Sequence, residues 1–213
     1  MMSSSRMEAF TDGVLAIIIT IMVLELEAPD SGSWHALLRA VPGLLVYIVS
    51  FGFIGAHWLN HHHLLQLTEK VDGKVLWSNM LWLMIISLLP VSLAWLERTQ
   101  FAQIPTVFYA VLSLLTTLAY FLLEYTILHT EYCRDRCDYL IGSRRKEWIS
   151  LILEILALVF AIVLPTRVPA YVCLFLVTML WILPDLRIVN ALKVLESPDE
   201  PEPGKGSADG TDE

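Results

Sequence analysis

One aspartate and a pair of histidines sit inside apolar runs of this chain, and a bilayer makes both costly. Asp12 lies in RMEAFTDGVLAIIITIMVLELEA, a stretch long enough to cross a membrane as a helix. A carboxylate at the centre of a membrane helix costs about 2.5–3.5 kcal/mol, and less near an interface, so Asp12 is expected to have a partner. Candidates are Arg6 in the same helix, His57, Trp58 and His61 of AHWLNHHH in the second run, and Asn79 near the start of the third. His57 and His61 are four apart and share a helix face, a spacing that zinc sites use. No Cys is close in sequence, and only Asp12 or a neighbouring His could complete a site. A hydrogen-bonded structural network is therefore the expected role, and no metal is assigned. His62 and His63 fall at the membrane edge and are expected to be interfacial. Glu124 and Glu154 also lie in apolar runs, near enough to span ends that their carboxylates are expected to snorkel toward water.

The elements that must position these residues follow from composition. Of the 213 residues, 56 % are hydrophobic and 17 % are Asp, Glu, Lys or Arg, with a mean hydropathy of +0.61. A water-soluble domain averages about 45–50 % apolar residues. The class is all-α integral membrane protein. Six apolar runs read as spans at about 7–28, 40–65, 77–97, 104–128, 148–164 and 169–190. Pro165, Arg167 and Pro169 in PTRVP mark a tight turn between the last two, which keeps them separate. Residues 1–195 form the membrane domain. From Glu196 the tail ESPDEPEPGKGSADGTDE carries seven acids and one Lys, −6 of the net charge of −8, and reads as a solvated disordered segment. The rest is close to neutral and has no basic patch, so nucleic acid is not an expected partner. No nucleophile elbow, HExxH, Walker motif or paired intramembrane aspartate occurs, so no enzyme is expected.

Charge sets the expected orientation. With the N-terminus cytoplasmic, eleven of the fourteen Lys and Arg residues fall on the inner side, and only Arg39, Arg98 and Arg167 fall outside. Both termini are then cytoplasmic. Cys133 and Cys137 lie in the inner loop CRDRCDYLIGSRRK, where thiols stay reduced. This arrangement brings the start of the first span, the end of the second and the start of the third to one side, so Asp12, His57, Trp58, His61 and Asn79 reach comparable depth.

At 100° per residue, Ile17, Thr20 and Leu24 of the first helix fall within an arc of about 60°, with Gly13 and Ile21 beside it. Asp12 points roughly 110–140° away from the middle of that arc. Periodicity alone leaves Ile17 and Leu24 as core or lipid-facing residues, with Thr20 bonding its own backbone one turn earlier.

At these residues the chain resembles the transmembrane protein 175 family of potassium channels. The family signature is Arg, three residues, Phe, Ser, Asp at the head of the first helix; here it reads RMEAFTD, Arg6 to Asp12, with Thr11 keeping the hydroxyl of Ser. FIGAHWLNHH in the second span and NMLWLMIISLLP in the third match in order and spacing. The resemblance implies a homotetramer of six-span subunits around a central pore lined by the first helix, in a bacterial plasma (inner) membrane. It further implies that Ile17 forms an apolar constriction, Thr20 a hydroxyl layer, Leu24 an outer apolar layer, and Ile21 an additional contributor. Arg6, Phe10, Thr11 and Asp12 are implied to pack against the second and third helices, with His57, Trp58, His61 and Asn79 as partners. No TVGYG-like filter loop is present. An apolar ring would gate such a leak-type pore by dewetting. The permeant ion is potassium, and no cofactor is implied. The alternative is a proton-coupled transporter using Asp12, His57 or Glu124, although no pair of broken spans repeats between the two halves. A non-conducting scaffold is the third reading.

Overall fold

The computed structural model describes residues 2–130 and 145–182. These form seven helices and one short strand pair. Helix α1 (Ser4–Leu24) is a run of β-branched and aliphatic residues with no side-chain cap at its start. Its entry is fixed instead by strand pairing: β1 (Met2–Ser3) runs antiparallel to β2 (Lys70–Val71), and Ser4 N–H donates to the Glu69 carbonyl at 3.1 Å. The head of α1 is thereby tied to the connection between the second and third helices.

Helix α2 (Trp34–Leu65) begins at Ser33, whose Oγ accepts from Ala36 N–H at 3.1 Å, and carries Pro42 within it. Helix α3 (Gly73–Ile86) is capped by Asp72, whose Oδ1 accepts from the Lys74 and Val75 amides at 2.9 Å each. The stretch read as a single third span is two helices: α3 stops at Ile86, and α4 (Leu89–Arg98) restarts with Pro90 in its first turn. Proline has no N–H to continue the ladder, and its fixed φ suits a helix start. Helices α5 (Gln103–Leu128), α6 (Arg145–Val163) and α7 (Val168–Ile182) follow. The turn at Leu164–Arg167 reverses the chain, and α6 and α7 pack along each other.

Among the described residues, four stretches are long and apolar enough to cross a membrane: α1, α2, α3 with α4, and α5. Helix α7 is apolar but shorter over its described residues, and α6 carries Lys146, Glu147 and Glu154. The sixth expected span runs past Ile182, and its end, the tail from Glu196 and the Cys133–Cys137 loop lie outside the described residues.

The core is aromatic at its centre. Trp82 of α3 is fully buried, its ring 5.2 Å from that of His61 and 5.8 Å from that of Tyr120. Trp181 of α7 stacks on His57 at 4.5 Å and meets Tyr120 edge-on at 5.3 Å. Hydroxyls and amides join the helices around this cluster. Ser50 pairs with Tyr109 at 2.8 Å, Ser78 with Thr126 at 2.8 Å, and Thr106 with Tyr171 at 2.9 Å, while Asn60 donates to the Trp181 carbonyl at 3.1 Å. Such bonds help hold helices together inside lipid, where the hydrophobic effect does not drive helix association.

Candidate functional site: the two faces of the first helix

Helix α1 has a buried stripe and an exposed stripe. Met7, Thr11, Leu15, Ile18 and Met22 recur every three or four residues and are buried against the rest of the subunit. On the opposite side Arg6, Phe10, Gly13, Ile17, Thr20, Ile21 and Leu24 are exposed along the length of the helix. Ile17 is 59 % exposed and Leu24 81 %, values that leave these large apolar side chains without cover inside the subunit. Thr20 Oγ1 donates to the Ile17 carbonyl at 2.8 Å, which spends its hydroxyl proton on the helix and leaves the oxygen lone pairs outward.

A polar network holds the buried stripe. Trp58 Nε1 donates to Asp12 Oδ1 at 2.7 Å. Asn79 Nδ2 donates to Thr11 Oγ1 at 3.0 Å, and its Oδ1 lies 3.1 Å from His61 Nε2. Because the Asn79 amide nitrogen is committed to Thr11, its oxygen is the acceptor and His61 carries a proton on Nε2. Thr11, His61 and Asn79 are all buried, so α1, α2 and α3 meet through one bridging amide.

Three of the expected members stand apart. His57 bonds through Nδ1 to the Phe53 carbonyl of its own helix at 2.9 Å, and its ring stacks on Trp181 rather than reaching α1. Arg6 is exposed and makes no hydrogen bond or ion pair among the described residues, so Asp12 takes its donor from Trp58 alone. Phe10 also points to the exposed stripe, not to α2 or α3.

Sequence reasoning left out one contact. Glu8 Oε1 pairs with His62 Nδ1, and His62 Nε2 is 3.0 Å from Gln66 Nε2. Glu8 and Asp12 are four apart on α1, and Trp58 and His62 are four apart on α2. Two antiparallel helices place those pairs in register, acid against donor on successive turns. The matched spacing was the available signal.

Glu124 of the fourth expected span and Glu154 of the fifth differ from their expected placement. Glu154 does not snorkel: it is fully buried, and its Oε1 accepts from Ser113 Oγ at 3.0 Å and Thr117 Oγ1 at 2.8 Å. Glu124 is buried as well.

The fold and site define a polytopic helical membrane protein whose first helix is buried on one face and uncovered on the other. A family profile described as the endosomal/lysosomal potassium channel TMEM175 matches residues 6–90, the region that holds both faces and the network. A potassium channel of Chryseobacterium sp. (strain P1-3) is 41 % identical over 192 residues, which cover 90 % of this chain and 99 % of that protein. The endosomal/lysosomal proton channel TMEM175 of Homo sapiens is 35 % identical over 116 residues, 49 % of this chain and 23 % of the human protein. Among solved structures, the crystal structure of a lysosomal potassium-selective channel TMEM175 homolog from Chamaesiphon minutus superposes with a TM-score of 0.71 at 24 % identity, covering 84 % of this chain and 95 % of that one, and so shares the fold. The chain belongs to the TMEM175 family, which is a family of ion channels and not of enzymes.

Proposed function

We propose that four copies of this chain assemble into a leak-type potassium channel whose pore is lined by the exposed stripe of α1. The observation that carries this reading is the uncovered stripe of α1. Only 28 % of the apolar stretch of α1 and 22 % of that of α2 are buried in the subunit, against 56 % for α3 with α4 and for α5, and the bare face of α1 carries Ile17, Thr20, Ile21 and Leu24. Helix α1 also stands at the head of the family match. In the assembly Ile17 forms the narrowest apolar ring, Thr20 presents hydroxyl oxygens one turn on, and Ile21 and Leu24 line the wider outer segment. An apolar ring narrower than a hydrated ion blocks by dewetting and conducts when widened. Potassium gives up water more readily than sodium, so a tight ring favours it, and Thr20 oxygens replace part of the lost shell.

The Asp12–Trp58 and Asn79–Thr11–His61 bonds set the rotation of α1 that turns this stripe to the pore. Six spans with both termini cytoplasmic fit the aromatic ends of the bundle. Trp77 and Trp148 are exposed at the starts of α3 and α6, and Trp34 at the start of α2. Exposed indoles of this kind sit at the two membrane–water interfaces.

The test is ion flux from proteoliposomes holding the purified protein, under a potassium gradient and then a sodium gradient. Non-saturating potassium flux that exceeds sodium flux and needs no counter-ion gradient supports the channel. Flux that requires an opposing proton gradient replaces it with an exchanger, and no flux replaces it with a scaffold.

A further inference from the structure

At the end of the bundle away from the Asp12–Trp58 pair, the first half of α2 and the start of α7 do not close on each other. They leave a cavity of about 620 Å³, lined by Val46 and Val49 from α2, Phe101 from the α4–α5 connection, and Tyr171, Phe175 and Arg167 from α7 and the turn before it. This volume is within the range of about 300–1,000 Å³ typical of small-molecule sites. Leu45, Ile48, Val168 and Val172 along its rim are exposed, so the cavity opens sideways from the bundle. Its two tyrosine hydroxyls are already committed, Tyr109 to Ser50 and Tyr171 to Thr106, so they present carbon to an occupant.

Arg167 is the exception. One guanidinium nitrogen, Nη1, donates to the Leu164 carbonyl, but Nε is buried with no hydrogen-bond partner, and no carboxylate pairs with the side chain among the described residues. A buried donor on a charged group costs free energy until something accepts from it. The cation stands at the start of α7, where the helix dipole adds to the positive field. An apolar slot open to the side, with one uncompensated cation at its end and no carboxylate among its lining residues to hold an ammonium, is complementary to an acyl chain that carries a net negative headgroup.

We infer that the α2–α7 cavity binds one phospholipid with an anionic headgroup, its chain between Val46, Val49 and Phe175 and its phosphate on Arg167. The phosphate oxygens accept from Nε and the remaining guanidinium N–H groups, a geometry to which arginine is suited. Phe101 is held at the rim by two successive residues with positive φ, Gln100 at 49° and Phe101 at 61°, and meets Tyr171 edge-on at 5.9 Å.

The inference rests on the membrane placement above and not on the pore assignment. It is tested by native mass spectrometry of the purified full-length protein titrated with phosphatidylglycerol and, separately, with phosphatidylcholine of the same chains. Wild type is expected to retain phosphatidylglycerol about fivefold or more over phosphatidylcholine, because both offer the phosphate but choline brings a second cation beside Arg167, a repulsion of about 1 kcal/mol in water. Arg167→Gln abolishes that preference, Arg167→Lys keeps part of it, and Val49→Trp fills the slot and lowers retention of both lipids. Equal retention of the two lipids by wild type overturns the inference, as does undiminished phosphatidylglycerol on both Arg167→Gln and Val49→Trp. Separation of Val49→Trp into single subunits with its lipid unchanged also overturns it and makes this face a contact between copies. Should Arg167→Gln not fold, the wild-type preference and Val49→Trp decide. A protein that passes potassium but retains both lipids alike loses this inference only; one that passes no ion yet prefers phosphatidylglycerol loses only the pore.

Discussion

Asp12 and Glu154 are both carboxylic acids inside apolar helices, and the subunit treats them in opposite ways. Asp12 is half-buried at the border between the two stripes of α1, and its bond comes from Trp58, an indole that is itself partly exposed. Glu154 is sealed between α5 and α6, takes two hydroxyls on one oxygen, and leaves the other oxygen with no partner. The second arrangement is complete within one subunit. The first is open on the side where α1 is bare. An acid at a border reports on what covers that border, whereas an enclosed acid reports only on the packing of its own helices.

Asp12→Ala is therefore expected to have the largest effect. It removes a charge-assisted bond worth about 1.5–3 kcal/mol and frees the rotation of α1. Size-exclusion chromatography with light scattering should find the assembled form depleted before any change in potassium-to-sodium preference. An assembled protein with altered selectivity alone would show that Asp12 acts at the pore and not at the border. Asn79→Ala should come next. It strips Thr11 and His61 of their shared partner, and interhelical bonds in membrane proteins average about 0.6 kcal/mol with a maximum near 1.7. The expected loss is about 1–2 kcal/mol in denaturant or thermal unfolding, since two such bonds go together. Glu154→Gln should have the smallest effect, below about 1 kcal/mol, because the amide oxygen still accepts from Ser113 and Thr117 and the amide nitrogen replaces an oxygen that already lacks a partner. A severe loss of assembly from Glu154→Gln would mean that the enclosed acid carries its charge, and the contrast with Asp12 would collapse.

These differences also explain what could be read from the chain beforehand. The Asp12–Trp58 and Asn79–His61 contacts followed from topology, because alternating helices return the ends of α1, α2 and α3 to one side. Thr11 as the partner of Asn79 lay within the RMEAFTD resemblance, although which of its residues face inward did not. Arg6 and Phe10 belong to the same motif and lie on the exposed stripe, a distinction that depends on where α2 sits around α1. His57 shares a helix face with His61, but the aromatic cluster of Trp82, Tyr120 and Trp181 captured its ring, and the position of α7 is not encoded near it in sequence. Glu154 was misread because α6 starts at Arg145, several residues before its purely apolar part, so the acid falls mid-helix and not near an end. The break between α3 and α4 was passed over, because the apolar run continues across Pro90 and only the missing N–H of the proline marks the restart.

The claim that organises the account is that the two stripes of α1 face different surroundings, the pore on one side and the subunit on the other. The most direct measurement places single cysteines on each stripe, Ile17→Cys and Ile18→Cys, in a background with Cys133, Cys137 and Cys173 replaced by serine. Each protein is reconstituted, and potassium flux is followed before and after a charged, membrane-impermeant thiol reagent. Ile17→Cys flux is expected to fall to the level of empty liposomes while Ile18→Cys flux is unchanged. Flux through Ile17→Cys that survives the reagent, or block that appears only at Ile18→Cys, would contradict that claim.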